Sequence, residues 1–187
     1  VNNSRRTRIL QLTSYTEVVL DAHNADVAHP AFGKLFVESE FLPERGALLF
    51  KRRPRSSEQL PTWALHLLAP EGRVERIECE TDRARFLGRG GTPREALSNT
   101  TGAVLDPIMS LRCTVRIEAG EQLSVSFVTG IADSREHALS LTDEYCDARA
   151  IERAFDMVAA HTQVQQWHLG ITSEEAHLFQ RLASRVL

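Results

Sequence analysis

At 187 residues, with 42% apolar and 25% charged residues, the chain has an ordinary globular composition and enough length to bury a core, which excludes a disordered or low-complexity segment. A formal net charge of −3 and a sequence pI near 6.2 supply no basic excess for nucleic acid or an anionic membrane surface. Cys79, Cys113 and Cys146 are odd in number, widely spaced and without a CxxC pair, so reduced thiols are expected in place of structural zinc or a redox centre. Neither a metal nor a cofactor is called for. No apolar run approaches the roughly 20 residues that cross a bilayer, and the first residues, Val1 to Arg6, are polar, so no direct membrane insertion is expected of this segment.

In chain order, Arg8 to Leu20 is rich in Leu, Val, Thr and Ile and has no Gly or Pro, which predicts a long extended segment. Ala47 to Arg52 and Trp63 to Leu68 are predicted strands. Arg83 to Pro107 carries Arg83, Arg85, Arg89 and Arg94 among Gly88, Gly90, Gly91 and Gly102, and is longer than a routine connection. The clearest strand is Leu111 to Glu118, where Leu111, Cys113, Val115 and Ile117 alternate with Arg112, Thr114, Arg116 and Glu118. After Ala119-Gly120-Glu121, alternation resumes at Leu123, Val125 and Phe127, which predicts an antiparallel hairpin. Half-buried antiparallel sheets of this sort stack as sandwiches.

Composition changes near Asp133. Asp133-Ser134 is an N-cap signal, and no Gly or Pro follows until Gly170, so helices are expected. Ile151, Phe155, Val158 and Thr162 line one helical face. Gly170 ends that helix, Thr172 to Glu175 forms a capping box, and Phe179, Leu182, Ala183 and Val186 give the next helix its apolar stripe, expected to be buried. The predicted organisation is a sandwich over residues 1–132 and helices over 133–187.

Several residue groups invite chemistry. Asp82, Arg83, Arg85 and Arg89 flank Phe86, and guanidinium and carboxylate groups make planar contacts to sugar hydroxyls or phosphate while an aromatic ring offers a face to a pyranose. The structural reading pairs Asp82 with a neighbouring Arg and buries Phe86. His23, Asp26, His29 and His66 have metal-ligand character, but a His-x-x-Asp-x-x-His turn shows no convergence, and a structural role is favoured. Trp63 and Trp167 are expected to pack in cores ahead of stacking on sugars. Glu38 and Glu40 share one strand face and read as a solvated edge.

Ser14 to Leu20, Ala25 to Glu40, Arg52 to Arg55, Thr81 to Gly90, Thr100 to Pro107 and Leu178 to Ala183 together resemble, in order, the sandwich region of cyclic β-1,2-glucan synthases. Gly91 departs from that pattern, which places a larger, basic residue there. The resemblance implies a galactose-mutarotase-like supersandwich followed by linker helices, within the cellobiose-phosphorylase-like (glycosyltransferase 36) half of a bacterial enzyme. The catalytic acid and phosphate site of that family lie in an α/α barrel, so the resemblance carries no catalytic residue onto this chain.

It further implies a non-catalytic, carbohydrate-binding or structural module that shapes the mouth of a glycoside phosphorylase-like active site, with Asp82, Arg83, Arg85, Phe86 and Arg89 as substrate-binding candidates. The partners implied are a β-glucan or other saccharide, the barrel of the parent enzyme and a homodimer, and the location implied is a cytoplasmic portion of an inner-membrane protein. Two rival readings stand beside it: a metal-dependent double-stranded β enzyme using His23, His29 and His66, and an assembly module working through the C-terminal helices.

Overall fold

A computed structural model describes residues 1–54, 61–88, 90–91 and 96–186. Strands β1 (Arg8–Thr13) and β2 (Thr16–Glu17) lead to short helices α1 (His23–Ala28) and α2 (Pro30–Lys34), then to β3 (Val37–Leu42), β4 (Ala47–Arg52), β5 (Trp63–Pro70) and β6 (Val74–Asp82). Helix α3 (Arg83–Leu87) precedes β7 (Gly102–Ala103), β8 (Pro107–Ile117), β9 (Val125–Ala132) and helices α4 (Arg135–Tyr145), α5 (Ala148–Leu169) and α6 (Ser173–Val186).

The strands form two antiparallel sheets. In the first, β8 is central, with β6 on one side and β1 and β2 end to end on the other. Thr13 opposite Arg112 and Thr16 opposite Met109 keep one register, so the extended segment predicted from Arg8 onward is a single edge interrupted near Ser14. The second sheet runs β7-β3-β4-β5-β9. Between them Val18, Leu48, Phe50, Ala64, Cys79, Leu111, Cys113 and Val115 form the core, and burial at the area rate of about 25 cal/mol per Å² is what holds the sheets together. Leu49, Leu65 and Leu67, on the opposite face of the second sheet, are also fully buried, and α4 packs against β5 and β9.

The predicted hairpin between Leu111–Glu118 and Leu123–Val128 does not form. Strand β9 pairs with β5, from Trp63 opposite Ala132 to Pro70 opposite Val125. Both edges of β8 are already filled, so the chain turns at Gly120, in the left-handed region at φ +82°, and crosses to the other sheet. Two compact units result, Val1–Ala148 and Arg149–Leu187, so α4 belongs with the sandwich although the composition changes at Asp133. Ser134 caps α4 by accepting from the His137 amide at 3.1 Å, and Arg135 and Arg45 tie the helix down through Glu40 at 2.7 Å and Asp143 at 2.9 Å.

In the second unit, Gly170 at φ +64° ends α5, and Thr172 and Glu175 exchange the bonds of a capping box, as the sequence indicates. The apolar stripes differ from expectation. Phe155 is 72% exposed, Phe179 and Leu182 are 53% exposed, and Trp167, expected in a core, is 78% exposed. Periodicity defines a face, but burial needs a second layer on it, and the described residues of this unit do not bury these side chains.

The three cysteines are free, Cys79 and Cys113 buried and Cys146 exposed. Burial, assisted by the Glu80 charge, pushes the Cys79 thiol up to about 12, and burial also raises Cys113.

His66 is a polar strut through the core. From β5 its Nε2 lies 2.8 Å from the Ser14 hydroxyl, at the junction of β1 and β2 in the other sheet, and its Nδ1 lies 2.8 Å from the Thr129 hydroxyl of β9. A neutral imidazole has one donor and one acceptor nitrogen for these partners. Burial lowers its pKa to about 4, so the folded protein favours the neutral ring. Between pH 6.5 and 4 the unfolded chain binds this proton and the folded chain does not, so the contribution is full above 6.5 and falls as the solution is acidified. We expect this residue to cost the fold up to about 3 kcal/mol between pH 7 and pH 4. Urea unfolding of the wild type and His66→Gln across that range checks it, the variant showing a shallower pH slope.

Candidate functional site

The candidate site sits where β6 ends. A register irregularity between Glu80 and Asp82 turns the chain out of the sheet, and Asp82 then caps α3, its Oδ1 accepting from the amides of Ala84 at 2.9 Å and Arg85 at 3.4 Å. Buried Glu80 fixes this corner. One carboxylate oxygen accepts from the Thr81 and Asp82 amides, both at 3.1 Å, and the other accepts from the Ser98 amide and hydroxyl. Asn99, held at φ +52°, exchanges bonds with the Cys79 backbone, and the Thr81 hydroxyl donates to the Thr100 carbonyl at 2.8 Å. The segment returning from α3 is thereby stitched to β6.

Phe86 is buried with Leu97 and Ile108, and the Tyr15 ring lies 5.2 Å from it, so its faces are used in packing. Arg83 reaches Asp106 at 3.3 Å and Glu17 at 3.7 Å, and Lys34 reaches the other Asp106 oxygen at 2.6 Å. Arg85 lies 3.7 Å from Asp82 and leaves more than half of its side chain exposed. Arg89 falls outside the described residues, as do Arg55 and Arg94.

Electrostatics follow this geometry. Burial raises the Asp106 carboxyl, but the hydrogen bonds and charges of Lys34 and Arg83 outweigh it and hold the group below the usual carboxylate range. The bond to Asp106, with further help from Tyr15 and Glu17, holds the Arg83 charge in place. The buried Nε of Arg83 has no hydrogen-bond partner among the described residues.

Lys34 is positioned from below. Arg52, itself buried, pairs with Asp21, donates to the Leu20 carbonyl at 3.0 Å and lies 6.0 Å from the Phe36 ring, which anchors the segment carrying α1 and α2. Sequence reasoning on side-chain type missed Tyr15, Glu17, Lys34 and Asp106, which surround Arg83. Each nonetheless lies inside a segment that carries the family resemblance.

The other candidates do not converge. His23 and Asp26 lie on α1 and His29 at its end, whereas His66 is spent between the sheets, and no three metal-ligating side chains come together among the described residues. Glu38 is paired with Lys51 at 3.2 Å and Arg53 at 3.1 Å, and Glu40 with Arg135, so neither stands as a free carboxylate. A groove of about 640 Å³, lined by Gly72, Arg73, Glu75, Arg116 and Leu123 among others, opens at the far end of β6, roughly 25 Å from α3 by strand rise.

The supersandwich domain of glycosyl hydrolase 94 matches residues 1–148. The chain belongs to that family. The supersandwich match ends where the first compact unit ends, at Ala148, and its antiparallel sheets followed by helices are the architecture that the resemblance implied. Over 191 aligned residues the chain is 38% identical to the cyclic beta-(1,2)-glucan synthase NdvB of Rhizobium meliloti (strain 1021), covering 97% of this chain. The chain spans about 7% of that relative's length. No helix among the described residues of this supersandwich chain is long and apolar enough to cross a membrane.

Asp106 is the hub of the site, so Asp106→Asn should remove the charge shared by Lys34 and Arg83, leaving Arg83 with Glu17 alone. We expect a loss of about 1 kcal/mol at neutral pH, the screened value for a half-exposed charged network. Because the folded carboxyl titrates below its unfolded value, the difference from wild type should shrink as pH falls through the carboxylate range; urea midpoints at successive pH values measure it.

Proposed function

We propose that this chain is a non-catalytic module of a cyclic β-1,2-glucan synthase-like enzyme, in which the α3 corner shapes the mouth of a glycoside phosphorylase-like active site supplied by an α/α barrel elsewhere in the protein. The observation that carries the reading is the collinear 38% identity across 97% of the chain to a small part of a cyclic glucan synthase. The geometry supports a division of labour among the residues proposed to bind substrate. Asp82 and Phe86 build the corner, Arg83 is the positioned cation, and Arg85 is more open to a saccharide than Arg83. Arg89 continues the same basic sequence. Guanidinium groups suit this task because their planar donors match paired hydroxyl and phosphate oxygens. The module is proposed to work outside the membrane, on the cytoplasmic side of a bacterial inner-membrane protein, with the barrel and a β-glucan as its partners.

Titration calorimetry with β-1,2-linked gluco-oligosaccharides tests this reading on the whole chain. Weak saturable heat is expected, reduced about tenfold in affinity by Arg85→Ala, the loss of one charged hydrogen-bonding group. Arg83→Ala should weaken binding as well while also lowering the unfolding midpoint. Absence of heat from folded protein would remove saccharide contact from the module's role, and sugar turnover by the chain alone would overturn its non-catalytic character.

A further inference from the structure

The groove at the far end of β6 stands apart from the α3 corner, and its walls are built before any ligand arrives. One wall is the turn from β5 into β6, and the other is the crossing from β8 to β9. Buried Asn2 fixes the crossing. Its amide donates to the Glu121 carbonyl at 2.8 Å, its carbonyl accepts from the Gly120 amide at 2.9 Å, and its side-chain nitrogen donates to the Ile117 and Glu118 carbonyls at 2.9 and 3.0 Å. On the opposite wall the Glu71 amide donates to the Ser124 carbonyl at 2.9 Å, which ties the walls together. Val74 and Leu123, both packed against the core, supply its apolar surface.

The polar groups of the groove fall into two sets. Glu118 accepts from Arg116 Nε at 2.8 Å and from the Thr7 hydroxyl, and Glu121 accepts from the Glu118 amide at 2.8 Å, so these side chains are spent on the frame. Glu71, Arg73, Glu75 and Gln122 are exposed, and their side chains make no hydrogen bond or ion pair among the described residues. Glu75 owes its place to a bulge. Val74 pairs with Val115 and Arg76 with Thr114, which leaves Glu75 as the extra residue. Successive residues of a regular strand face opposite sides of the sheet, yet Val74 and Glu75 line the same groove.

The charges decide what class of ligand fits. Glu71, Glu75, Glu118 and Glu121 line the groove against Arg73 and Arg116, so a phosphate or other anion would meet an excess of carboxylates. No three metal-ligating side chains come together among the described residues. The unspent groups are donors and acceptors side by side over apolar carbon. Sugar hydroxyls both donate and accept, and the C–H face of a pyranose covers such carbon. We propose that this groove is a binding site for a neutral oligosaccharide, with Arg73 donating to its hydroxyls, Glu75 accepting from them and a ring lying over Val74 and Leu123. A volume of about 640 Å³ falls within the range of small-molecule sites, about 300 to 1,000 Å³. No aromatic side chain lines it among the described residues, so binding is weak, with a dissociation constant on the order of 1 mM. The site lies roughly 25 Å from the corner by strand rise and does not rest on the reading given to Arg83 and Arg85.

An amide NMR titration of the whole chain with β-1,2-linked gluco-oligosaccharides up to about 10 mM tests it. The Gly72, Glu75 and Gln122 amides should shift and saturate. Arg73→Ala combined with Glu75→Gln changes only exposed side chains, so the circular dichroism spectrum should stay as it is while affinity at these amides falls about tenfold or more. Arg85→Ala should leave the groove shifts untouched, which separates this site from the corner whatever happens there. Groove amides that stay still, or that shift equally in the double variant, overturn the proposal. Inorganic phosphate or spermidine shifting the same amides at lower concentration than the oligosaccharide also overturns it, because the groove would then select charge.

Discussion

Strand β8 is paired on two sides over most of its length, to β6 from Pro107 to Val115 on one edge and to β1 and β2 on the other. With no free edge left, the chain leaving Ile117 has to cross the sandwich, and that crossing places β9 beside β5. The same double pairing draws together residues far apart in sequence. The end of β8 at Pro107 brings Asp106 against Arg83 at the end of β6, and β2 brings Glu17 to the same corner. The candidate site is therefore a by-product of sheet register, assembled where three strands finish.

Much of the strand content was legible because alternation is a local signal. Leu111 to Ile117 shows it plainly, one face packed against the second sheet and the other bearing Arg112, Thr114 and Arg116. Ala47 to Phe50 reads as a strand without alternation because Leu48 and Phe50 face the core while Leu49 is buried on the other side. Pairing was not legible, since the order of strands depends on which edges are vacant and no local pattern records that. Capping at Thr172 could be read because both partners lie within three residues of each other. Lys34 and Asp106 meet across 72 positions, and nothing in either neighbourhood announces the other. The stripes of α5 and α6 were visible as faces, but whether a face is covered is a tertiary fact.

The corner separates rigidity from reach. Glu80, through amides and the Ser98 hydroxyl, and one oxygen of Asp82, through the amides of Ala84 and Arg85, fix the start of α3, and Phe86 locks its underside against Ile108. Arg83 is held by two carboxylates and gives direction, whereas Arg85 is loosely tethered and gives contact. A binding surface needs both kinds of group, because a fully free arginine loses side-chain entropy on every encounter while a fully paired one has no donors to spare.

The distribution of thiols has a practical side. Cys79 and Cys113 are sealed between the sheets, and burial keeps their sulfur protonated far above neutral pH, so neither offers a thiolate to an alkylating reagent while the sandwich stays folded. Cys146 alone is open to solvent, just before the first compact unit gives way to the second at Ala148. The chain thus carries its own attachment point for a fluorophore or spin label at the end of α4, within the first unit. Labelling there needs no cysteine introduced or removed.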